Sequence, residues 1–161
     1  MRMRILAVGN RMPSWVSEGT VAYTRRLPRE LPLDVVEVPP GQRAGKTPPG
    51  RALAQEAKRL RALLGAREHV VALDVGGRRF DTETLAAWLA GRRETGQDLA
   101  FLIGGPDGLA PALSEVIDER LSLSALTLPH GIARLVLAEQ LYRAWSLNAG
   151  HPYHRAGSPG G

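Results

Sequence analysis

The sequence predicts an α/β fold: a mostly parallel sheet of five or six strands with helices on both faces. Three observations carry that prediction. Short apolar runs alternate with longer stretches of helical periodicity along the chain. Two of the runs, residues 69–75 and 99–103, are almost unbroken in apolar character, as strands covered on both faces require. Three run ends pass directly into glycines or small hydroxyl residues, at Leu73, Leu102 and Leu121 onward, where parallel strands deliver their loops.

Residues 4–8 form a first strand that stops at Gly9, and Pro13 suits the first turn of the helix that follows. Val16, Thr20, Tyr23 and Leu27 recur at helical spacing. Residues 33–38 make the second strand, closed by Pro39 and Pro40, and PPGQRAGKTPPG (39–50) reads as a mobile loop without apolar anchors. Leu53, Ala57, Leu60 and Leu64 are the stripe of a second helix, with Gly65 placed to cap it. After the third strand (69–75), Asp81 is an N-cap for a helix that turns Leu85, Trp88 and Leu89 inward. The fourth strand (99–103) leads through GGPDG to a short helix over 111–119. A fifth strand is expected over 121–128, stopped by Pro129, which has no N–H to give a sheet ladder. The last helix runs over 131–148 and ends at Gly150.

A length of 161 residues fits one domain, expected over 1–155. No apolar run approaches a membrane span. The run after the two leading arginines is too short for the core of a signal peptide, so cytoplasm and no membrane contact are expected. Without cysteine there is no thiolate metal site and no thiol nucleophile. The net charge of +5 conceals an asymmetry: residues 1–80 hold 15 Lys and Arg against 7 Asp and Glu, and the remainder hold 6 against 9. A basic first half suits contact with a polyanion, or else solvated faces in an arginine-rich chain. Arg25, Arg26 and Arg29 on the first helix, with Arg43 and Lys46 in the loop, are the candidates for RNA contact.

LDVGG, LIGGPDG and LSLSALTLPH can wall one pocket, because loops at the carboxyl ends of parallel strands converge on one side of the sheet. Glycine there lets a ligand approach the backbone. The first strand ends in GNRMP, with no dinucleotide fingerprint; no phosphate-binding loop and no nucleophile elbow occur either. No metal is expected: His69 opens an apolar strand, and no carboxylate stands at ligand spacing to His130, His151 or His154. The last helix bears Ile132, Leu135, Val136, Leu141, Tyr142 and Trp145, a stripe broad enough for core, or for core and a second subunit. The tail HPYHR carries a ring, imidazoles and a guanidinium suited to a base and a phosphate, although such tails are also often disordered.

LIGGPDGL, LSLSALTLPH, LAEQLYRAWS and HPYHR, with AVGNRMPSWV, YTRRLP and VPPGQR ahead of them, resemble the bacterial ribosomal RNA large subunit methyltransferase H family over roughly residues 3–155. These are 23S rRNA (pseudouridine-1915-N3) methyltransferases of the SPOUT superfamily. The resemblance implies a SPOUT fold with its C-terminal part threaded as a trefoil knot, an exception to the rule that chains avoid knots. It implies S-adenosylmethionine as cofactor, leaving as S-adenosylhomocysteine. Carried onto this chain, the cofactor positions are Leu73, Gly104, Leu123, Ser124, Ala125, Leu126, Thr127 and Leu128. It also implies a homodimer acting on the ribosome, with one subunit's pocket meeting the other's C-terminal tail. The chain continues with AGSPGG where the family usually stops, and residues 156–161 are expected to be a disordered extension.

The expected reaction is methyl transfer to N3 of the pseudouridine. His130, Tyr153, His154 and Arg155 are the candidate catalytic residues: an imidazole to take the N3 proton, Tyr153 to stack on the base and Arg155 to hold a phosphate. The alternatives are a non-catalytic RNA- or ribosome-binding module, and a related methyltransferase acting on another nucleotide.

Overall fold

The computed structural model describes residues 1–155, with the side chains of residues 154 and 155 excepted. The expected disordered extension, and the side-chain roles expected of His154 and Arg155, lie outside the described residues. The chain folds as β1 (Met3–Val8), α1 (Ser14–Thr24), β2 (Leu33–Val38), α2 (Gly50–Leu63), β3 (His69–Arg79), α3 (Thr82–Thr95), β4 (Leu99–Ile103), a 3-10 turn (Pro111–Val116), β5 (Glu119–Ser122) and α4 (His130–Asn148), followed by a single 3-10 turn at Pro152–Arg155. The five strands form one sheet in the order β2-β1-β4-β3-β5, and every paired neighbour is parallel.

Strand alternation sorts the core into two faces. Met3, Ile5 and Ala7 of β1, with Leu99, Phe101 and Ile103 of β4, pack against α1, α3 and α4 through residues such as Tyr23, Leu89, Leu137 and Leu141. Leu6, Val8, Ala100 and Leu102 face the other way, onto Ala57 and Leu60 of α2 and onto Leu113. Each fully buried Leu, Ile or Phe of these layers contributes about 1.5–3 kcal/mol. β4 is the central strand and all five of its residues are buried, which is why 99–103 reads as an unbroken apolar run.

β3 and β4 send their connections to opposite faces, β3 to α3 and β4 to the Pro111–Val116 turn. A crevice therefore opens beyond their carboxyl ends, the position where open α/β sheets receive ligands.

Several boundaries differ from the sequence reading. β3 runs four residues past Val75, because Leu73 and Arg78 both pair with Leu121 and the residues between them bulge out of the ladder. The Asp74 side chain accepts from the Gly76 N–H (2.9 Å) inside that bulge, so the glycines mark a detour and not the strand's end. β5 begins at Glu119 and ends at Ser122, where residues 121–128 were expected to be strand. Ser122 Oγ donates to the Ser124 carbonyl (2.9 Å) and Ser124 Oγ accepts from the Leu126 N–H (3.0 Å), which curls the chain out of the sheet. The expected helix over 111–119 is a 3-10 turn that stops at Val116. α1 ends at Thr24, so Arg25, Arg26 and Arg29 lie in the turn after it and not on the helix. Gly65 does not cap α2; Leu64 ends it in extended conformation, and Gly65 N–H donates to Glu68. Two features stand as expected: Asp81 accepts from the Thr84 N–H (2.7 Å) at the start of α3, and Gly150 follows α4 with φ +68°.

The segment expected to be a mobile loop is tied to α2 at its start, over 39–42, while residues 42–50 are exposed. Arg59 Nη1 donates to the Pro39 and Pro40 carbonyls, each at 2.8 Å, and the Gln42 N–H donates to Gln55 (2.9 Å).

Candidate active site

A cavity of about 450 Å3 opens at the carboxyl ends of β3, β4 and β5, within the range of roughly 300–1,000 Å3 usual for small-molecule sites. The three strand ends picked out in the sequence all reach it. Of the eight expected cofactor positions, Leu73, Gly104, Leu123, Ser124, Leu126, Thr127 and Leu128 line its wall, and Ala125 does not. Leu126 and Val75 stand at the rim with 72% and 53% of their surface exposed, an apolar lip unsupported within the chain.

The turn after β4 forms one side of the cavity. Gly108 N–H donates to the Gly105 carbonyl (3.0 Å), and Gly108 adopts φ +74°. A Cβ on Gly104 would stand 2.6 Å from the Gly108 carbonyl oxygen and 2.8 Å from the Leu109 nitrogen. Only a residue without a side chain closes the turn this tightly, and the closure exposes backbone to whatever occupies the cavity.

His130, the first residue of α4, lines the same cavity. Its ring packs on the β1–α1 loop: a Cβ on Gly9 would lie 3.2 Å from the imidazole Nε2. One turn along α4, Arg134 is 2% exposed and donates to the Gly9 carbonyl at 3.3 Å. Its ion pair with Glu37 is long, 3.5 Å, and its Nε has no hydrogen-bond partner among the described residues. Burial pushes the Arg134 pKa below its ordinary value, opposed by Glu37, yet an arginine stays charged. The sequence reading missed Arg134, since a cation on an apolar helix face resembles a solvated one in any local window.

It also missed Asp74 and Arg120, which line the cavity and pair at 3.1 Å. Asp74 follows a named strand end and was within reach, whereas Arg120 arrives only through the β3–β5 pairing. His69 is a structural residue, its Nε2 2.6 Å from Glu119 Oε1, as the sequence suggested.

Tyr153 of the tail lies elsewhere. Tyr153 packs on Tyr142 with ring centroids 4.6 Å apart and at 6.4 Å from Tyr23. Arg26 and Arg143 lie over its ring at 5.9 and 4.8 Å. Its hydroxyl donates to Glu139 Oε1, and burial, then hydrogen bonding with Tyr23 and the charge of Glu139, push the phenol pKa well above the usual tyrosine range. Neither His151 nor Tyr153 lines the cavity of its own chain.

Among the RNA candidates, Arg25, Arg29 and Lys46 are exposed, and Arg26 is exposed beside the aromatic cluster. Arg43 is committed within the protein: it donates to Asp107 (2.8 Å), to both oxygens of Glu56 (3.1 and 3.2 Å) and to the Gly41 carbonyl (3.2 Å). Those bonds, the one to Glu56 first, hold its pKa above the ordinary value. Among the described residues no three His, Cys, Asp or Glu side chains gather as metal ligands, and no helix is long and apolar enough to cross a membrane.

A family model described as predicted SPOUT methyltransferase matches residues 1–154. The chain belongs to the SPOUT methyltransferase family. This SPOUT methyltransferase is 51% identical over 155 residues to the ribosomal RNA large subunit methyltransferase H of Chromohalobacter salexigens, covering 96% of this chain and 100% of that protein. It is 52% identical over 156 residues to the protein of the same name from Alkalilimnicola ehrlichii, covering 97% and 100%. A solved structure, the SpoU methyltransferase AviRb from Streptomyces viridochromogenes in complex with the cofactor AdoMet, is similar at a TM-score of 0.44 and 18% identity, over 87% of this chain and 56% of that one.

Proposed function

We propose that this chain transfers a methyl group from S-adenosylmethionine to N3 of pseudouridine 1915 in 23S rRNA. On this reading it works on the assembled ribosome, in the cytoplasm, as a homodimer whose C-terminal part is threaded as a trefoil knot. One observation carries it: the cavity at the ends of β3, β4 and β5 is walled by seven of the eight positions the family resemblance marks for the cofactor. Full-length relatives about half identical carry the name ribosomal RNA large subunit methyltransferase H.

The residues present suit such a group. The Gly104–Gly108 turn offers close backbone approach, Leu73, Leu123 and Leu128 an apolar wall, and the Asp74–Arg120 pair a polar edge. When bound, the cofactor supplies an electrophilic methyl on a sulfonium. The chain's own part is alignment and the exclusion of water, worth roughly 7–11 kcal/mol at best. Transfer of that methyl to N3 would leave the donor as a neutral thioether, and the N3 proton would have to be removed. His130 is the imidazole on the cavity wall and takes that proton, directly or through water.

The homodimer is supported by two features. Ile132, Leu135 and Val136 are only half-buried within the chain, and Trp15 is 54% exposed. His151 and Tyr153 also lie away from the cavity of their own chain, so tail residues act by reaching a partner's. Arg25, Arg26, Arg29 and Lys46 then contact rRNA phosphates.

Mass spectrometry of 23S rRNA from cells with and without the gene tests the reading. The expected result is loss of a single methyl at that pseudouridine, restored by the gene. An unchanged methyl would leave a ribosome-binding module, and loss at another nucleotide would reassign the target.

A further inference from the structure

Arg43 spans two carboxylates with very different surroundings. Glu56 on α2 is 2% exposed, while Asp107 belongs to the turn that lines the cavity. Four hydrogen bonds engage the Arg43 fork, which leaves little of a five-donor guanidinium for an RNA phosphate. The backbone holds it there. Gly41 is buried so closely on α2 that a Cβ would stand 2.6 Å from the Ala52 Cα and 2.7 Å from its carbonyl carbon. Glu56 also underlies the turn itself, since a Cβ on Gly105 would lie 3.5 Å from its Oε1. Without Arg43, buried Glu56 would lose its cation and the 104–109 turn would lose its side-chain tie to α2.

We propose that Arg43 is a positioning residue for the cavity: by tying Asp107 to buried Glu56, it holds the 104–109 turn in the shape that binds the methyl donor. This rests on the reading that the cavity takes S-adenosylmethionine. The bridge demands arginine, because a planar fork reaches two carboxylates at once and an ammonium is a point charge. Arg43 therefore acts on donor affinity and not on RNA affinity.

The test is calorimetric titration of the full-length protein with S-adenosylmethionine, alongside donor KM and kcat on ribosomal substrate. The expected result is donor binding weakened about tenfold in R43Q, with kcat at saturating donor nearly unchanged and partial recovery in R43K. D107N, which leaves the buried Arg43–Glu56 pair intact and so preserves the fold, should weaken donor binding several-fold. R43Q in the D107N background should add little. Unchanged donor affinity in D107N or in folded R43Q would overturn the inference while leaving the function intact. So would a fall of about one unit in the salt slope of RNA binding in R43Q, the mark of a lost phosphate contact. Failure of the wild-type protein to bind the donor would remove the functional reading and this inference together.

Discussion

The hydroxyl of Tyr153 donates to Oε1 of Glu139 across 3.0 Å, and the same oxygen accepts from Arg143 Nε at 2.9 Å. This three-residue closure folds the end of the chain back onto α4. It converts a tail with the composition of a disordered segment into a docked one.

The docking has a signature in alkaline solution. A raised folded-state pKa means that the Tyr153 contribution is intact below the ordinary tyrosine value of about 10 and is lost as pH rises through the higher folded value. Ultraviolet titration of phenolate should show a late-ionising step, and Tyr153→Phe should remove it. An identical titration curve for Tyr153→Phe and wild type, apart from one phenol fewer near the ordinary value, would show that the tail is not docked.

Gly104→Ala should reduce S-adenosylmethionine binding by more than tenfold, since its methyl would collide with the Gly108 carbonyl. Overpacking of this kind costs about 1–3 kcal/mol, so the protein should still fold. Gly91→Ala is the control: it lies in α3 with open space around its Cβ position and should stabilise by about 0.5–1 kcal/mol. Calorimetry and thermal melts read both; equal donor affinity in Gly104→Ala and wild type would count against the turn as a binding surface.

Asp81 should make the stability of α3 depend on acid. Its carboxylate pKa is lowered by its hydrogen bonds with Thr84, so the stabilisation is present above the unfolded carboxylate value, about 3.9, and is lost as pH falls through the lower folded value. Asp81→Ala should melt below wild type at neutral pH, with the gap closing toward pH ~2. A gap independent of pH would mean that the cap does not act through its charge.

Arg134→Met should be close to neutral toward unfolding, because the buried guanidinium is poorly partnered, with a long ion pair to a half-exposed Glu37, and its removal offsets the Gly9 carbonyl's lost donor. Methylation should fall at the same time, as the Gly9 carbonyl beside His130 loses its donor. Denaturant unfolding and turnover separate the two effects. A strongly destabilised Arg134→Met with wild-type turnover per folded molecule would show that the arginine serves stability alone.

Where the chain's signal is local, the sequence could be read closely. β2 and β4 stand at their expected residues, and Asp81 caps the helix expected of it. Where small residues had two local meanings, reading failed. Gly76 and Gly77 punctuate like a turn but make a bulge, and Ser122 and Ser124 sit in an apolar run yet fold it away from the sheet.

The sequence by itself determined the layered α/β architecture and the three strand ends that converge on the cavity. Both follow from apolar periodicity and turn residues, which act within a few positions of one another. Only the tertiary structure decided that Arg43 meets Asp107, 64 positions away, that Arg134 lies buried against Gly9, and that Tyr153 closes on Glu139. A guanidinium or phenol has the same local pattern whether it faces water, RNA or a buried carboxylate. The partner is chosen by which strands lie side by side, and that arrangement is a property of the whole folded chain.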